Sequence, residues 1–365
     1  MSAACNLEGQ TLTGERAGKQ WIVQKQIQFA EGQSPGHFSV GYRVTDEAGE
    51  AAFLKAIDLR MSALGDAGFL ERLKSKVDAH TFERQVLDYV RGANMDRVVV
   101  ALDYGNKELI YENSYYTVLF LVFELAEHGD LRRHVNRESS LGLLGIVNAL
   151  HNLANAIQQL HSGKVCHNDI KPGNFLVFNE DLQKLGDLGR ATTPLFKASH
   201  DIYMCAGDPQ YAPPEQIYNA SSEQIGLGDF DCRRVGDLYS LGSIAHFMLT
   251  TRMITPELIQ RLDRPFWPIV YNGIGWGGGY DGVLPHVQLA WGSILEDLRG
   301  GLAKGSPDAD VLSELVKVVA ELGEPDPRLR GRRGPGGVGR RLDVQYYISL
   351  FDRLRKQIMV SQGAH

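Results

Sequence analysis

The chain contains a short loop whose residue types and spacing are suited to handling a phosphate group. It reads His-Asn-Asp-Ile-Lys-Pro-Gly-Asn over residues 167–174, so Lys171 follows Asp169 by two positions and Asn174 follows it by five. Such a loop can hold a hydroxyl nucleophile, a phosphate and a metal ion. Thirteen residues after Asn174, Asp187 begins an Asp-Leu-Gly turn and can supply a second metal contact. Phosphoryl transfer needs this arrangement, because its protein chemistry is mostly positioning and charge neutralisation.

Length and composition exclude several other classes of protein. The chain has 365 residues, 43% hydrophobic and 22% charged, which is typical of a globular protein with a sizeable core. Its net charge of −6 argues against a general nucleic-acid binder. No apolar run approaches the roughly 18 residues that a membrane-spanning helix needs. The polar start predicts no secretory signal, and four scattered cysteines predict free thiols, so we expect a cytoplasmic protein without membrane contact.

The first third of the chain alternates short β-rich runs with polar turns. Residues 1–20 contain few apolar positions and predict a loose lead-in. Five strands are then predicted, and one helical stretch, Ala67–Val90, interrupts them. The predicted strands are Trp21–Ile27, Phe38–Val44, Ala51–Ile57, Val98–Tyr104 and Tyr116–Glu124.

Helical periodicity dominates the rest of the chain. Apolar helices are predicted near Val235–Thr250 and Val344–Ile358, with an irregular insertion at Phe266–Tyr280 and an arginine-rich loop at Arg328–Arg341. A small sheet lobe followed by a larger helical lobe is therefore expected. The clearest helical stripe consists of Ile146, Val147, Leu150, Leu153, Ala154, Ile157 and Leu160.

Four motifs together resemble the eukaryotic-type protein kinase family, over nearly the whole chain. They are the loop at 167–174, the turn at 187–189, the Gly-Asp-Pro-Gln-Tyr-Ala-Pro-Pro-Glu segment at 207–215 and the Val-Gly-Asp-Leu-Tyr-Ser-Leu-Gly segment at 235–242. The resemblance implies an α+β, bilobal protein-kinase-like fold. Residues 21–124 would form a small lobe with a five-stranded antiparallel sheet and one main helix, residues 125–358 a larger, mostly helical lobe, and 359–365 a tail.

The resemblance also implies an activity and its catalytic residues. The γ-phosphoryl group of ATP would be transferred, with Mg²⁺, to a Ser or Thr hydroxyl of a protein substrate. Asp169 would act as the base that orients the hydroxyl, and Lys171 would stabilise charge on the transferring group. Lys55 would reach the α- and β-phosphates and pair with a carboxylate on the interrupting helix. Glu83 fits that carboxylate best, and Glu71 is the competing candidate.

The ligands for magnesium and nucleotide follow from the same resemblance. Asn174 and Asp187 would bind Mg²⁺. Phe53 stands where a small residue is usual, and we expect its ring to take over part of the roof of the adenine pocket. The residues assigned to the nucleotide are Gly36 and Phe38 in a partly eroded glycine loop, Phe53, Lys55, the backbone of Glu124 and Ala126, the carboxylate of Asp130, and Leu176 beneath the adenine. Without the resemblance Asp130 is simply a helix N-cap, and the two roles are compatible.

Two departures from the family pattern bear on mechanism. Asn168 replaces an arginine that in many relatives receives a phosphate on the activation segment, which here leads from Asp187 to Glu215. We therefore predict activity that does not depend on phosphorylation of Thr192, Thr193, Ser199 or Tyr203. Asp208 replaces a threonine, and its carboxylate either pairs with Lys171 or crowds Asp169 with like charge. Two structural contacts are also expected: Glu215 with Arg328, and Asp237 with the backbone of the 167–174 loop.

Two other functions compete with an active protein kinase. The eroded glycine loop, Phe53 and Asp208 suggest a nucleotide-binding pseudokinase that serves as a scaffold. The catalytic loop alone is also compatible with a kinase of small molecules, although the complete 207–215 segment favours a protein substrate. Lys171 is typical of the serine/threonine class.

Overall fold

The protein divides into two compact units. The structure is a computed structural model, and it describes residues 3–27, 39–59, 68–111, 114–136, 141–269, 275–301, 308–332, 334 and 342–363. The first unit comprises residues 1–128 together with Asp187–Gly189, and the second comprises Gly129–Gly186 together with Arg190–His365.

The first unit contains a six-stranded antiparallel sheet, so the expectation of five strands is wrong by one. The additional strand has only three residues, which is too short for alternation to be recognised in sequence. The strands are ordered β1-β2-β3-β4-β6-β5 across the sheet. They are β1 (Thr11–Thr13), β2 (Gln20–Gln26), β3 (Ser39–Thr45), β4 (Ala51–Asp58), β5 (Ala101–Tyr111) and β6 (Ser114–Glu124).

Alternation along β4 decides which side chains enter the core. Ala52, Leu54 and Ala56 are fully buried in the apolar cluster of this unit, because successive strand residues point to opposite faces. Phe53 and Lys55 therefore lie on the other face of the sheet. The strand thus presents a lysine on a rigid, doubly paired element between β3 and β6.

The predicted loose lead-in is instead packed against the sheet. Ala4 and Leu7 are completely buried, and the Tyr42 hydroxyl donates to the carbonyl oxygen of Ala4 at 2.6 Å. Trp21 Nε1 donates to the buried Asp103 carboxylate at 3.0 Å. Alanine and single leucines carry little periodic signal, so the sequence did not reveal that this segment completes the core.

The α-helix among the described residues of the first unit is α1 (Phe69–Gly92), close to the predicted Ala67–Val90. Its C-terminal half buries Phe82, Val86, Leu87 and Val90, which recur on one helical face. Its first turns are mostly exposed. Glu83 lies on the buried side and therefore faces the interior of the unit.

The described part of the second unit is mainly helical. The predicted stripe from Ile146 to Leu160 is confirmed, since all seven of its residues are buried in one helix. The helices are α2 (Leu131–His134), α3 (Leu143–Ser162), α4 (Pro214–Ile217), α5 (Ser222–Ile225), α6 (Asp229–Thr250), α7 (Ile254–Arg261), α8 (Tyr280–Gly300), α9 (Ala309–Leu322) and α10 (Gln345–Ser361).

The core helix of this unit is α6, which is buried almost continuously from Cys232 to Met248. A two-stranded hairpin, β7 (Phe175–Val177) and β8 (Gln183–Leu185), follows the 167–174 loop. The described ends of the predicted insertion pack on α8, where Phe266 stacks on His286 with ring centroids 3.7 Å apart. Among the described helices, none is long and apolar enough to cross a membrane.

Candidate active site

The first unit holds Lys55 in a cluster with two carboxylates. Lys55 Nζ lies 2.9 Å from Glu83 Oε1 and 3.2 Å from Asp187 Oδ1. The lysine and Glu83 side chains are 13% and 6% exposed, which is too buried for an ordinary surface ion pair. Glu71, the competing candidate, is exposed in the first turn of α1.

Electrostatics keep the Lys55 ammonium charged despite its burial. Burial alone would lower the Lys55 pKa, but the negative charges of Asp187 and Glu83 outweigh that effect, so the pKa is raised. A lysine that stays cationic and points along a sheet face can contact phosphate oxygens. The side chain of Asp187 is 38% exposed, so solvent reaches part of it.

The backbone of Asp187 is in a conformation that favours glycine. Its φ is +61°, and φ of Asn168 in the other unit is also +61°. Such angles are uncommon outside glycine, and asparagine and aspartate tolerate them best. Four other described residues away from these motifs, Asn94, Lys164, Asn219 and Thr251, share this conformation, so the angle fixes the local backbone here but does not by itself mark a functional site.

The second unit brings Asp169, Lys171 and Asn174 together in one buried loop. Asn174 Nδ2 donates to the Asp169 carbonyl oxygen at 2.8 Å and to Asp169 Oδ2 at 3.2 Å. Lys171 Nζ lies 3.0 Å from the same Asp169 oxygen. Asp169 and Asn174 are only 7% and 8% exposed. The spacing of two and five residues therefore produces mutual contacts, not merely proximity along the chain.

Asp237 on α6 fixes the backbone of this loop, as predicted. Its Oδ2 accepts from the His167 N–H at 2.8 Å, and its Oδ1 accepts from the Asn168 N–H at 2.9 Å. His161 Nε2 contacts Asp237 Oδ2 at 2.9 Å. A buried carboxylate that accepts several N–H groups is well satisfied, so it can hold the loop rigidly.

The structure places the Asp208 carboxylate beside Lys171. Of the two expectations for Asp208, this position favours an ion pair with Lys171 over repulsion of the Asp169 carboxylate. Asp208 Oδ2 lies 3.7 Å from Lys171 Nζ, and the Asp208 backbone N–H donates to Asp169 Oδ1 at 3.0 Å. Lys171 therefore stands between two carboxylates. Asp169 in turn receives a hydrogen bond from the segment that contains Asp208.

Gly207 is tightly enclosed against the same loop. A Cβ atom at this position would lie 2.3 Å from the Asn168 carbonyl oxygen and 2.9 Å from Asp169 Oδ1. A side chain cannot fit there without displacing backbone. Glycine is required here because of the close approach of two chain segments.

Some of the predicted nucleotide contacts belong to the sheet of the first unit. Gly36 and Phe38 lie outside the described residues. Phe53 is opposite Phe123 in the β4–β6 register, and their rings are 6.4 Å apart at 35°. This contact gives the Phe53 ring a fixed apolar neighbour on the sheet face that also carries Lys55.

The remaining nucleotide candidates lie at the end of β6 and near the start of the second unit. Glu124 is the last residue of β6, and Ala126 follows it in an irregular segment. Asp130 caps α2 through a 2.9 Å bond from the Arg132 N–H, and its carboxylate pairs with the Arg132 guanidinium at 2.7 Å. Leu176 is half-buried and forms an isolated bridge with Asp130.

The partner of Glu215 is Arg330, so the expected pairing with Arg328 is wrong. Arg330 Nη1 and Nη2 bind the two Glu215 carboxylate oxygens at 2.6 and 2.8 Å, with both side chains almost fully buried. Arg328 instead pairs with Asp326 and Asp281 at the surface. The two arginines are two positions apart, and no local pattern distinguishes them.

Sequence reasoning also missed two arginines that contact the selected motifs. Arg132 occupies the carboxylate of Asp130, and a basic residue two positions after an acidic helix cap was an available signal. Arg233 on α6 donates to backbone carbonyls of the segment that leads to Gly207. No sequence signal pointed to Arg233, because its acceptors belong to the backbone.

Comparison with known families identifies the class of protein. The family model described as protein kinase domain matches residues 70–264, which is more than half of the chain. The chain therefore belongs to the protein kinase family, and the resemblance inferred from its motifs is confirmed.

Individual relatives are similar over limited regions. The chain is 39% identical over 113 residues to the serine/threonine-protein kinase DCLK1 of Rattus norvegicus, covering 30% of this chain and 25% of that one. It is 24% identical over 295 residues to the interferon-induced, double-stranded RNA-activated protein kinase of the same species, covering 78% and 52%. A probable serine/threonine-protein kinase, zyg-1 of Caenorhabditis elegans, is 30% identical over 142 residues, covering 38% and 18%. The chain thus spans only about a quarter or less of the DCLK1 and zyg-1 sequences.

Proposed function

We propose that this protein transfers the γ-phosphoryl group of ATP to a serine or threonine hydroxyl of another protein. The observation that carries the proposal is the loop in which Asp169 is bound at once by Lys171 and Asn174. It combines a buried carboxylate, a cation and an amide, which are the groups that phosphoryl transfer requires. The names of the similar proteins support the serine/threonine class.

Asp169 would accept or orient the proton of the attacking hydroxyl. Its Oδ1 is held by the Asp208 N–H and its Oδ2 by Lys171, so the carboxylate has one fixed orientation. Lys171 would stabilise negative charge that develops on the transferring phosphoryl oxygens. Lys55, held by Glu83, would bind the phosphates farther from the reacting bond.

The proposed metal ligands, Asn174 and Asp187, each carry a side-chain oxygen of the kind that Mg²⁺ prefers. The Asn174 amide nitrogen is committed to Asp169, so its oxygen is the atom available to a cation. Asp187 offers a partly exposed carboxylate. Mg²⁺ commonly takes few protein ligands together with water and nucleotide phosphate oxygens. When bound, the metal would supply charge neutralisation on those phosphates.

A scaffold that binds nucleotide without transfer is the second candidate. The observation that favours it is the position of Lys171 between Asp169 and Asp208. The two carboxylates offset the positive charge of Lys171, which would otherwise stabilise the transferring γ-phosphoryl group. A kinase of small molecules is the third, and the same experiment separates all three.

The test is transfer of labelled phosphate from ATP to a protein acceptor and to small hydroxyl compounds. We expect protein labelling by the wild type and its loss in Asp169→Asn, with nucleotide binding retained in a thermal-shift assay. Asp181→Asn, an exposed aspartate in the β7–β8 turn, is the matched control and should label normally. Binding without transfer by the wild type would favour the scaffold, and labelling of small compounds alone would favour the third function.

We further propose that activity does not require phosphorylation of the activation segment. Asn168 Nδ2, in place of an arginine, donates to the Arg190 carbonyl oxygen at 3.0 Å and to Thr192 Oγ1 at 2.7 Å. Thr193 is buried, which makes its hydroxyl a poor substrate for modification. The segment is therefore held by neutral hydrogen bonds where a phosphate would need a cation.

This independence is tested by near-isosteric replacement of the four hydroxyl-bearing residues between Asp187 and Gly207. A variant with Thr192→Val, Thr193→Val, Ser199→Ala and Tyr203→Phe should keep its turnover within about threefold of the wild type, since it loses at most weak neutral hydrogen bonds. Mass spectrometry would establish the phosphate content of both proteins. A large loss of turnover in the variant, matched by phosphatase treatment of the wild type, would contradict the proposal.

A further inference from the structure

Arg233 is a buried cation that contacts the activation segment through backbone atoms. It lies on α6 and is 5% exposed. Its guanidinium donates to the carbonyl oxygens of Met204 and Tyr203, and Nη2 lies 3.5 Å from the Asp201 carbonyl oxygen. The planar guanidinium thus serves three acceptors in four consecutive residues of one segment.

The charge of Arg233 has no carboxylate partner among the described residues within ion-pair distance. Burial lowers its pKa, and the more distant negative charge of Asp201 opposes that change. A buried cation of this kind is tolerated only while its hydrogen bonds are satisfied. The contact is therefore favourable only when residues 201–204 stay in their observed positions.

The contacted segment has little apolar burial of its own. The side chains of Ile202 and Tyr203 are 80% and 60% exposed. Other contacts hold the activation segment before residue 201. Thr192 pairs with Cys166 through backbone hydrogen bonds, and His200 contacts the Ala191 carbonyl oxygen at 2.8 Å. Arg233 therefore attaches residues 201–204 to α6, whereas the hydrogen bonds of Asp201 with Ala198 and of Tyr203 with His200 are local to the segment.

This attachment is close to the catalytic loop along the chain. Met204 precedes Gly207 by three residues, and the N–H of the next residue, Asp208, donates to Asp169 at 3.0 Å. A shift at Met204 would be transmitted to Gly207, which has no free space against the loop. The segment must therefore be placed accurately for Asp169 to keep its orientation.

We propose that Arg233 is a positioning residue that holds the activation segment in place by binding its backbone carbonyls, where a phosphate–arginine pair would serve in a phosphorylation-dependent kinase. The inference rests on the proposed kinase activity. It adds to that proposal the contact that keeps the activation segment in place when the segment is not phosphorylated. Because the acceptors are main-chain oxygens, a phosphatase cannot remove the contact.

The test compares Arg233→Met with Arg234→Met in protein treated with phosphatase. Methionine keeps much of the apolar stem and removes every donor. Arg234 is the adjacent residue on α6, but it binds Asp231 and the Leu342 carbonyl oxygen and so serves as the control. The first readout is native-state cleavage by chymotrypsin after the exposed Tyr203. The second is kcat/KM for protein substrate, measured together with KM for ATP.

We expect Arg233→Met to raise the cleavage rate at Tyr203 by roughly tenfold or more, because cleavage follows local opening of the segment. We expect kcat/KM for protein substrate to fall by a similar factor, on the order of tenfold, since a small misplacement near the base is costly. KM for ATP should change little, and Arg234→Met should match the wild type in both assays.

Arg233→Lys guards against a variant that fails to fold. Lysine keeps the charge and one carbonyl contact at a time, so intermediate cleavage and intermediate kcat/KM are expected. If Arg233→Met is unfolded at the assay temperature, Arg233→Lys alone decides. If a folded Arg233 variant is cleaved at the wild-type rate and has the wild-type kcat/KM, the proposal is wrong. If the wild type transfers no phosphate, the kinase proposal fails, while the cleavage assay still tests the attachment.

Discussion

At the scale of single residues, the catalytic candidates are positioned by one another. Asp169 is bound by Lys171, Asn174 and the N–H of Asp208, while Asp237 fixes the backbone immediately before it. No exposed, freely rotating side chain is involved at this point. Removal of any one partner should therefore alter the orientation of Asp169 as well as the local charge.

A glycine provides the clearest test at this scale. Gly207→Ala places a methyl group 2.3 Å from the Asn168 carbonyl oxygen, so the segment or the loop must move. We expect turnover to fall by about 100-fold, the size of effect produced by roughly 1 Å of displacement at a reacting group. The measurement is steady-state phosphate transfer at saturating ATP.

The control for that substitution is another glycine. Gly292 in α8 has no atom within 4 Å of an added Cβ. Gly292→Ala should keep full turnover and raise the melting temperature slightly, because alanine is about 0.5–1 kcal/mol better than glycine inside a helix. If Gly207→Ala were equally silent, the close packing of the segment against the loop would not matter for activity.

At the scale of elements, α1 decides where Glu83 lies. The helix is attached to the rest of the first unit by polar contacts as well as apolar ones. Arg16 Nε pairs with Asp88 at 3.2 Å, and the Arg84 guanidinium stacks on Tyr104 at 4.6 Å. Arg84 is adjacent to Glu83, and Asp88 lies between one and two turns beyond it. Because Arg16 belongs to the packed lead-in, this segment helps to fix the position of Glu83, the partner of Lys55.

Acid should destabilise this helix through His80, which lies one turn before Glu83. Burial, with the nearby charges of Arg84 and Lys55, lowers the His80 pKa to about 4 from its usual 6.5. Below pH 6.5 the unfolded chain binds a proton that the folded chain does not, so stability decreases as the pH falls towards 4. Integrated to pH 5, the effect is about 2 kcal/mol.

The experiment is urea unfolding at pH 7.5 and pH 5.0 for wild type and His80→Gln. The wild type should lose about 2 kcal/mol more than the variant over this interval, since glutamine does not titrate. His128→Gln, at an exposed histidine, should retain the wild-type dependence. Identical pH dependence in wild type and His80→Gln would show that His80 is not held neutral.

At the scale of the whole molecule, one buried ion pair joins segments 115 residues apart. Arg330 donates two hydrogen bonds to the Glu215 carboxylate, and it also donates to the Val235 carbonyl oxygen and lies over the Tyr239 ring. Burial alone would lower the Arg330 pKa, but Glu215 raises it, so the arginine stays charged. This contact fastens the end of the 207–215 segment to the C-terminal part of the chain.

Arg330→Met should destabilise the protein by about 3–5 kcal/mol, because it leaves the Glu215 carboxylate buried without a partner. Arg328→Met removes only partly exposed pairs and should cost about 1 kcal/mol or less. Calorimetric melting of both variants distinguishes the two arginines directly.

A double variant completes the comparison. Arg330→Met combined with Glu215→Gln should recover part of the lost stability, since the second change removes the uncompensated charge. Equal stability of Arg328→Met and Arg330→Met would mean that the buried pair contributes nothing beyond a surface contact.

Much of this protein was determined by local sequence pattern. The stripe in α3 and the alternation in β4 reflect which side chains share a face, and this depends on neighbours only a few positions away. The spacing of Asp169, Lys171, Asn174 and Asp187 likewise indicated the kinase family, because a short loop constrains where its side chains can reach. Glu83 could be preferred over Glu71 from the same local pattern of apolar positions.

Only the tertiary structure decided which distant groups meet. It selected Arg330 over Arg328, placed Asp208 beside Lys171, packed the lead-in into the sheet and set Arg233 against backbone carbonyls. Each outcome depends on how segments far apart in the chain pack together and which side chains they bury. Two residues of equal charge with similar sequence neighbours have the same secondary-structure propensity and the same place in a periodic pattern, so the sequence cannot distinguish them. A carboxylate needs a hydrogen-bonding partner wherever it is buried, and only the packing of distant segments determines which residue that partner is.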